Sequence, residues 1–201
     1  MTYLRIYKYI LYMNKELKTK LLPISLAVIV ILVDQITKIL IMKNIPLFTV
    51  GASFFGDFLR IIHVANTGVA FSVGATWSET ARRFLFSLIP LIVIGIVIAI
   101  YFRNNTWTKL QRWAIMGIVG GGVGNLIDRF FRAEGVVDFI DVKFYGLFGL
   151  ERWPTFNIAD SAVVVCGIML VISFIVTSIR ESKESEESKA SKESTEEKTE
   201  D

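Results

Sequence analysis

Two aspartates, Asp138 and Asp160, are the residues whose type and setting point most directly to chemistry. Asp138 lies inside the apolar stretch VVDFID just after a glycine, where a carboxylate gains nothing from burial, and Asp160 lies in FNIADS at the head of a long apolar run. Two carboxylates held together at a half-desolvated position cannot both ionise easily, so one keeps a proton as an acid while the other acts as base on water. Peptide hydrolysis by an aspartyl pair needs that division, and the titration then belongs to the pair. Asn157 and Asp160 also have a plainer reading, as caps of a helix whose dipole favours carboxylates. Other chemistries fit worse. His63 is the single histidine and has no histidine or cysteine near it, so no metal site is expected and it reads as a strand residue. Ser161 would need a lysine base, but Lys38 has Asp34 four residues away on one helix face, and Lys143 sits in a loop. The run GGGVGN lacks the lysine and hydroxyl of a phosphate loop.

The elements that must position these groups are membrane helices. A chain of 201 residues with 53% hydrophobic content and positive mean hydropathy calls for a bilayer as solvent. A hydrocarbon core about 30 Å thick needs roughly 20 apolar helical residues, and Leu21 to Met42, Phe84 to Phe102 and Ala159 to Ile179 meet that length. Trp113 to Ile127 is shorter and glycine-rich, which suits a fourth span packed closely on its neighbours; a re-entrant loop covered by protein is the alternative. The expected fold is thus an all-α membrane protein of four spans within residues 21–179, carrying a small extracytoplasmic β and loop platform. Asn44 to Ser78, with runs such as FLRIIHV, reads as strand and turn, and Val142 to Trp153 as an aromatic segment suited to the membrane interface. Residues 1–20 form a cytoplasmic flank, and 180–201, rich in Ser, Lys, Glu and Thr, a disordered tail. From Arg180 onward there are five basic and nine acidic residues, so by subtraction from the net +3 the rest of the chain carries about +7. Those cations flank apolar segments and form no basic stripe interleaved with aromatics, so nucleic acid is not an expected partner. Cys166 is alone, which excludes an intramolecular disulfide.

Orientation follows from the lysines and arginines near span ends. Arg5, Lys8, Lys15, Lys18 and Lys20 precede the first span, and Arg103, Lys109 and Arg112 link the second and third, so both segments should be cytoplasmic, with Arg82 and Arg83 counting mildly against. Both termini then lie inside. The first apolar run is a retained helix and not a cleaved leader, since Asp34 and Lys38 interrupt it and no small-residue cleavage site follows. With this topology Asn66, Asn125, Asp128, Arg129, Asp138, Asp141, Asn157 and Asp160 all gather at the outer face. Ionisable groups at such depth mark function by default. Asp128 beside Arg129 could be a structural pair, as could Asp34 with Lys38.

Five pieces, in their order, resemble the lipoprotein signal peptidase (signal peptidase II) family: DQITK at Asp34 to Lys38, NTGVAF at Asn66 to Phe71, GNLIDR at Gly124 to Arg129, VVDFID at Val136 to Asp141, and FNIADS at Phe156 to Ser161. The resemblance covers Leu21 to Ile179. It implies that Asp138 and Asp160 are the catalytic pair of an aspartic endopeptidase of the bacterial inner membrane. It also implies that Asn66, Gly68, Asn125, Arg129, Asn157 and Ala159 line the site or hold substrate, while Asp34, Lys38 and Asp128 support the structure. The implied substrates are prolipoproteins, cut on the N-terminal side of a cysteine carrying diacylglycerol, with no metal or organic cofactor. The chain would work as a monomer in the lipid bilayer. Val69, after Gly68, stands where the family often has a smaller residue, which affects the fine shape of the pocket. Two rivals make different demands: a small transporter or proton relay needs carboxylates running on to the inner face, and a noncatalytic anchor would tolerate Asn at both aspartates.

Overall fold

The computed structural model describes residues 16–67 and 79–196, apart from the side chains of 79–83 and 188–196. Arg5, Lys8, Lys15, the side chains of Arg82 and Arg83, and Gly68 with the rest of NTGVAF beyond Thr67 lie outside the described residues. Four long helices and three strands follow one another: α1 (Ile24–Asn44), β1 (Val50–Phe54), β2 (Leu59–Asn66), α2 (Glu79–Arg103), α3 (Lys109–Phe131), β3 (Val136–Val142) and α4 (Ile158–Glu196).

The helices are turned inside out relative to a water-soluble bundle. In α1 the buried residues are Ala27, Asp34 and Lys38, whereas Val28, Ile29, Leu32, Val33, Ile36 and Leu40 are exposed. That inversion is unfavourable in water and natural against acyl chains, which leave only polar side chains in need of shelter. The helical stretches Glu16–Asn44, Phe84–Arg103 and Ile158–Glu187 are long and apolar enough to cross a membrane. The shorter segment expected between Trp113 and Ile127 is also helical, as part of α3, so it is not a re-entrant loop. Its 23 residues span about 34 Å. Its start is fixed by a capping box, in which Thr108 accepts from the Gln111 N–H and the Gln111 side chain accepts from the Thr108 N–H.

α3 is the central helix and touches the other three. Its glycines are the reason it can. A Cβ on Gly120 would lie 2.8 Å from the Ala27 backbone of α1, one on Gly124 would lie 2.8 Å from the Asp34 carboxylate, and one on Gly121 would drive into the Ala159 carbonyl of α4. Small residues thus bring three backbones together, as the glycine run predicts.

The tail differs from expectation. α4 runs unbroken for 39 residues, so the segment from Arg180 to Glu196 is helical and not irregular. Lys, Glu and Ser offer no breaker there, and Arg180 pairs with Glu184 one turn on, which supports the helix where residues 180–187 are exposed.

The platform is a three-stranded antiparallel sheet in the order β1-β2-β3. Sequence patterning anticipates the first two strands; the third, VVDFIDV, is supplied by the stretch between α3 and α4. Gly135 opens β3 at φ 107, and a Cβ there would meet the Asn66 carbonyl at 2.5 Å, so only glycine fits the turn. Around this sheet Phe48, Phe55, Tyr145 and Phe148 are all strongly exposed at positive φ, which agrees with an aromatic rim.

Candidate active site

Alternation along β3 separates its two aspartates. Residues three apart on a strand point to opposite faces, so Asp138 and Asp141 cannot share a site. Asp141 faces Arg60, directly across in β2, and Arg152, with Arg60 Nη2 at 2.5 Å and Arg152 Nε at 2.7 Å; Arg152 also reaches the Asp57 carboxylate at 3.2 Å. This cluster ties the β1–β2 turn to β3 and to the segment that follows it. Asp138 faces the helices. Asn66, further along the same β2, bonds to Asp138, because a one-residue register shift between Ile61 and Val64 rotates that end of the strand to the other face.

Asp138 is 3% exposed and accepts from Asn66 Nδ2 at 2.9 Å and from Asn157 Nδ2 at 2.7 Å. Asp160 accepts from Asn125 Nδ2 at 2.7 Å and from the Asn157 backbone N–H at 3.1 Å. The Asn157 side-chain oxygen accepts in turn from the Asp160 N–H at 3.0 Å. Asn157 and Asp160 therefore form a reciprocal capping box at the head of α4, so the plainer capping reading holds as geometry. It also locks the Asp160 side chain in place, while the Asn157 amide reaches across to Asp138. One asparagine joins both carboxylates. Burial pushes the Asp138 carboxyl up to about 6, the Asp160 charge adds to the rise, and the Asn66 amide, then the Asn157 amide and Lys38, oppose it.

The polar residues expected to support the structure form a second, deeper layer. Lys38 and Asp34 pair at 2.9 Å, but Lys38 also pairs with Asp128 at 2.8 Å and donates to Asn125 Oδ1 at 2.9 Å. All three ionic side chains are fully buried. Asp128 does not pair with its neighbour Arg129, contrary to one expectation; helical spacing turns it to Lys38 and to Arg132 one turn on. Arg129 is half-buried, lies within electrostatic reach of Asp160, Asp138 and Asp128, and has no hydrogen bond or ion pair among the described residues. Ala159 is fully buried between α3 and α4, and its N–H donates to Asp34 at 3.0 Å; it is a packing position and offers no open surface to a ligand. Asp34 accordingly lies level with the head of α4, bonded to the residue just before Asp160. His63 is buried in β2 with its ring Nδ1 2.8 Å from the Ile45 carbonyl. Among the described residues no three His, Cys, Asp or Glu side chains cluster as metal ligands.

Gln35, Arg132, Arg60 and Arg152 escaped the sequence reading. Arg132 could have been found from its four-residue spacing to Asp128, and Gln35 from its place beside Asp34. The arginines around Asp141 need the β2–β3 register, which no local pattern supplies.

The family described as Signal peptidase (SPase) II matches residues 26–176, a stretch that contains every one of these groups. The chain belongs to the signal peptidase II family. It is similar to the lipoprotein signal peptidase of Treponema pallidum, at 49% identity over 79% of this chain and 85% of the relative, and to that of Treponema denticola, at 49% over 85% and 98%. Among solved structures, a bacterial membrane enzyme determined by the in meso method superposes with a TM-score of 0.65 at 28% identity, over 78% of this chain and 88% of that one. Signal peptidase II members are peptidases that remove signal peptides from prolipoproteins, and this chain is one of them, embedded in a membrane by several helices.

Proposed function

We propose that Asp138 and Asp160 carry out this cleavage as an aspartyl pair sharing one proton, on the N-terminal side of a diacylglyceryl cysteine. The observation that supports the reading is a single residue, Asn157, bridging two carboxylates from separate elements, with its side-chain Nδ2 donating to Asp138 and its backbone N–H to Asp160, while burial lifts the Asp138 carboxyl to about 6. Asp138 then holds the shared proton and Asp160 is the base. Asp160 takes a proton from water, whose oxygen bonds to the scissile carbonyl carbon as Asp138 protonates the carbonyl oxygen. Collapse of that tetrahedral species breaks the C–N bond: the departing amine of the cysteine takes up the proton gained by Asp160, and a hydroxyl of the diol returns its proton to Asp138 as the new carboxyl group forms. One water is consumed and the pair returns to its single-proton state. Arg129, with its guanidinium uncommitted among the described residues, and Asn66, on the exposed rim, are positioned to hold the substrate backbone.

The same reading takes α3 as a fourth span, puts both termini in the cytoplasm and the site at the outer face of the inner membrane, and needs only one chain, since both aspartates come from it. A lipidated cysteine anchored in the outer leaflet brings its scissile bond to that interface. The test is turnover of a diacylglyceryl prolipoprotein by purified Asp138→Asn and Asp160→Asn beside the parent. Each folded variant is expected to lose at least about a thousandfold in rate; near-parent activity in either would overturn the pairing.

A further inference from the structure

The proposed reaction uses Asp138 and Asp160, and the sequence reading leaves Lys38 as one half of a buried ion pair. Two carboxylates, Asp34 and Asp128, already neutralise it at 2.9 and 2.8 Å. A lysine ammonium has three N–H donors, and the third is spent on Asn125 Oδ1 at 2.9 Å. Asn157 Nδ2 donates to the same oxygen at 3.1 Å. Rotating the Asn125 amide by a half turn would set its NH2 group against an ammonium and a second NH2 group, so only one orientation survives. That orientation is the one that presents Nδ2 to Asp160 Oδ1 at 2.7 Å.

We infer that Lys38 is a positioning residue for catalysis: through the Asn125 amide it obliges the site to offer Asp160 a donor, which favours Asp160 as the ionised member of the pair. This rests on the aspartyl reading above. The route is short, from the fully buried Lys38 on α1 through the buried Asn125 on α3 to the half-buried Asp160 on α4. The charged groups that face it are Asp34 on α1, Asp128, Arg129 and Arg132 on α3, Asp138 on β3 and Asp160 itself. A lysine serving only to neutralise buried acids would be replaceable once those acids were balanced in another way.

That difference gives the experiment. In Lys38→Met with Asp34→Asn, one charge of each sign is removed and Asp128 keeps Arg132, so the buried cluster stays balanced. Compared with Asp34→Asn alone, the double variant is expected to stay folded and to lose about tenfold or more in kcat with KM changed by less than about threefold. The acid limb of its pH profile, which reports the pair, moves to higher pH, because the pair has lost an enforced donor and the Lys38 charge that opposes the rise at Asp138. A folded double variant with kcat within about twofold and an unmoved limb overturns the inference. If the double variant does not fold, Asn125→Asp decides: it still accepts from Lys38 and Asn157 but has no N–H for Asp160, so full turnover overturns the inference and a loss with the shifted limb supports it. Asp138→Asn and Asp160→Asn, run alongside, separate the two readings. If either is active, the aspartyl pair itself fails; if both are dead while the Lys38 variants turn over normally, only the positioning role falls.

Discussion

At the scale of single residues, Asp138 carries a pH signature that does not depend on turnover. Its carboxyl stands at about 6 against an ordinary value of 3.8, because β3 buries it against the helices. A group raised in this way binds its proton longer in the folded state than in the unfolded one. The stability it lends is complete below the unfolded value and is lost as pH rises through about 6, so the ionised native state is the less stable by about 3 kcal/mol. Thermal unfolding of the parent and Asp138→Asn from pH 4 to 8 is therefore expected to show the parent losing ground to the variant up to about pH 6, then running parallel to it. A constant difference across the range would mean an ordinary carboxyl. Most of this layer was legible in the sequence, because charged and amide side chains in apolar surroundings are rare enough to be conspicuous. Their pairings were not. Asp128 beside Arg129 looked like a pair only because adjacency is visible in a sequence and a partner on another helix is not.

Between elements, the decisive fit is α3 against α4. Gly121 lies where the Ala159 carbonyl comes closest, and Ala159 sits inside the Asn157–Asp160 capping box at the head of α4. A methyl group there has to push the capped end of α4 away from Asn125. Gly121→Ala is expected to destabilise by about 1 to 3 kcal/mol and to reduce kcat by at least about tenfold in the protein that remains folded. Melting and turnover measured on the same preparation check both. Gly122→Ala is the comparison, since its Cβ would meet only the flexible Ile94 side chain of α2. Helix existence and close packing followed from apolar length and the glycine run. The third strand did not, because VVDFIDV is apolar on both faces apart from its two aspartates and shows no clean alternation. The helical tail was missed for the opposite reason: a composition too polar to fold by burial was read as irregular, although Lys and Glu at four-residue spacing keep an anchored helix going.

For the molecule as a whole, the proposed topology can be checked without assaying peptide cleavage. Single cysteines at Phe55, in the β1–β2 turn, and at Glu187, far along α4, are both exposed in a background with Cys166 replaced by alanine. In intact cells an impermeant maleimide is expected to label the first and to reach the second only after lysis. The reverse pattern would invert the protein in its membrane. Amino-acid composition made a multi-pass protein legible, but the mutual placement of platform and bundle depends on contacts distant in sequence, such as Asn66 with Asp138. The register shift between Ile61 and Val64 shows how much hangs on one of them. It lets a single strand present Arg60 to the Asp141 cluster on one side and Asn66 to the paired carboxylates on the other. β2 therefore works as a hinge in the numbering of the chain: Arg60 and Asn66 are six residues apart, a spacing that regular alternation would put on one face, and the one extra residue taken up in the bulge is what sends them to opposite faces. Length at this point is as much a part of the site as any side chain.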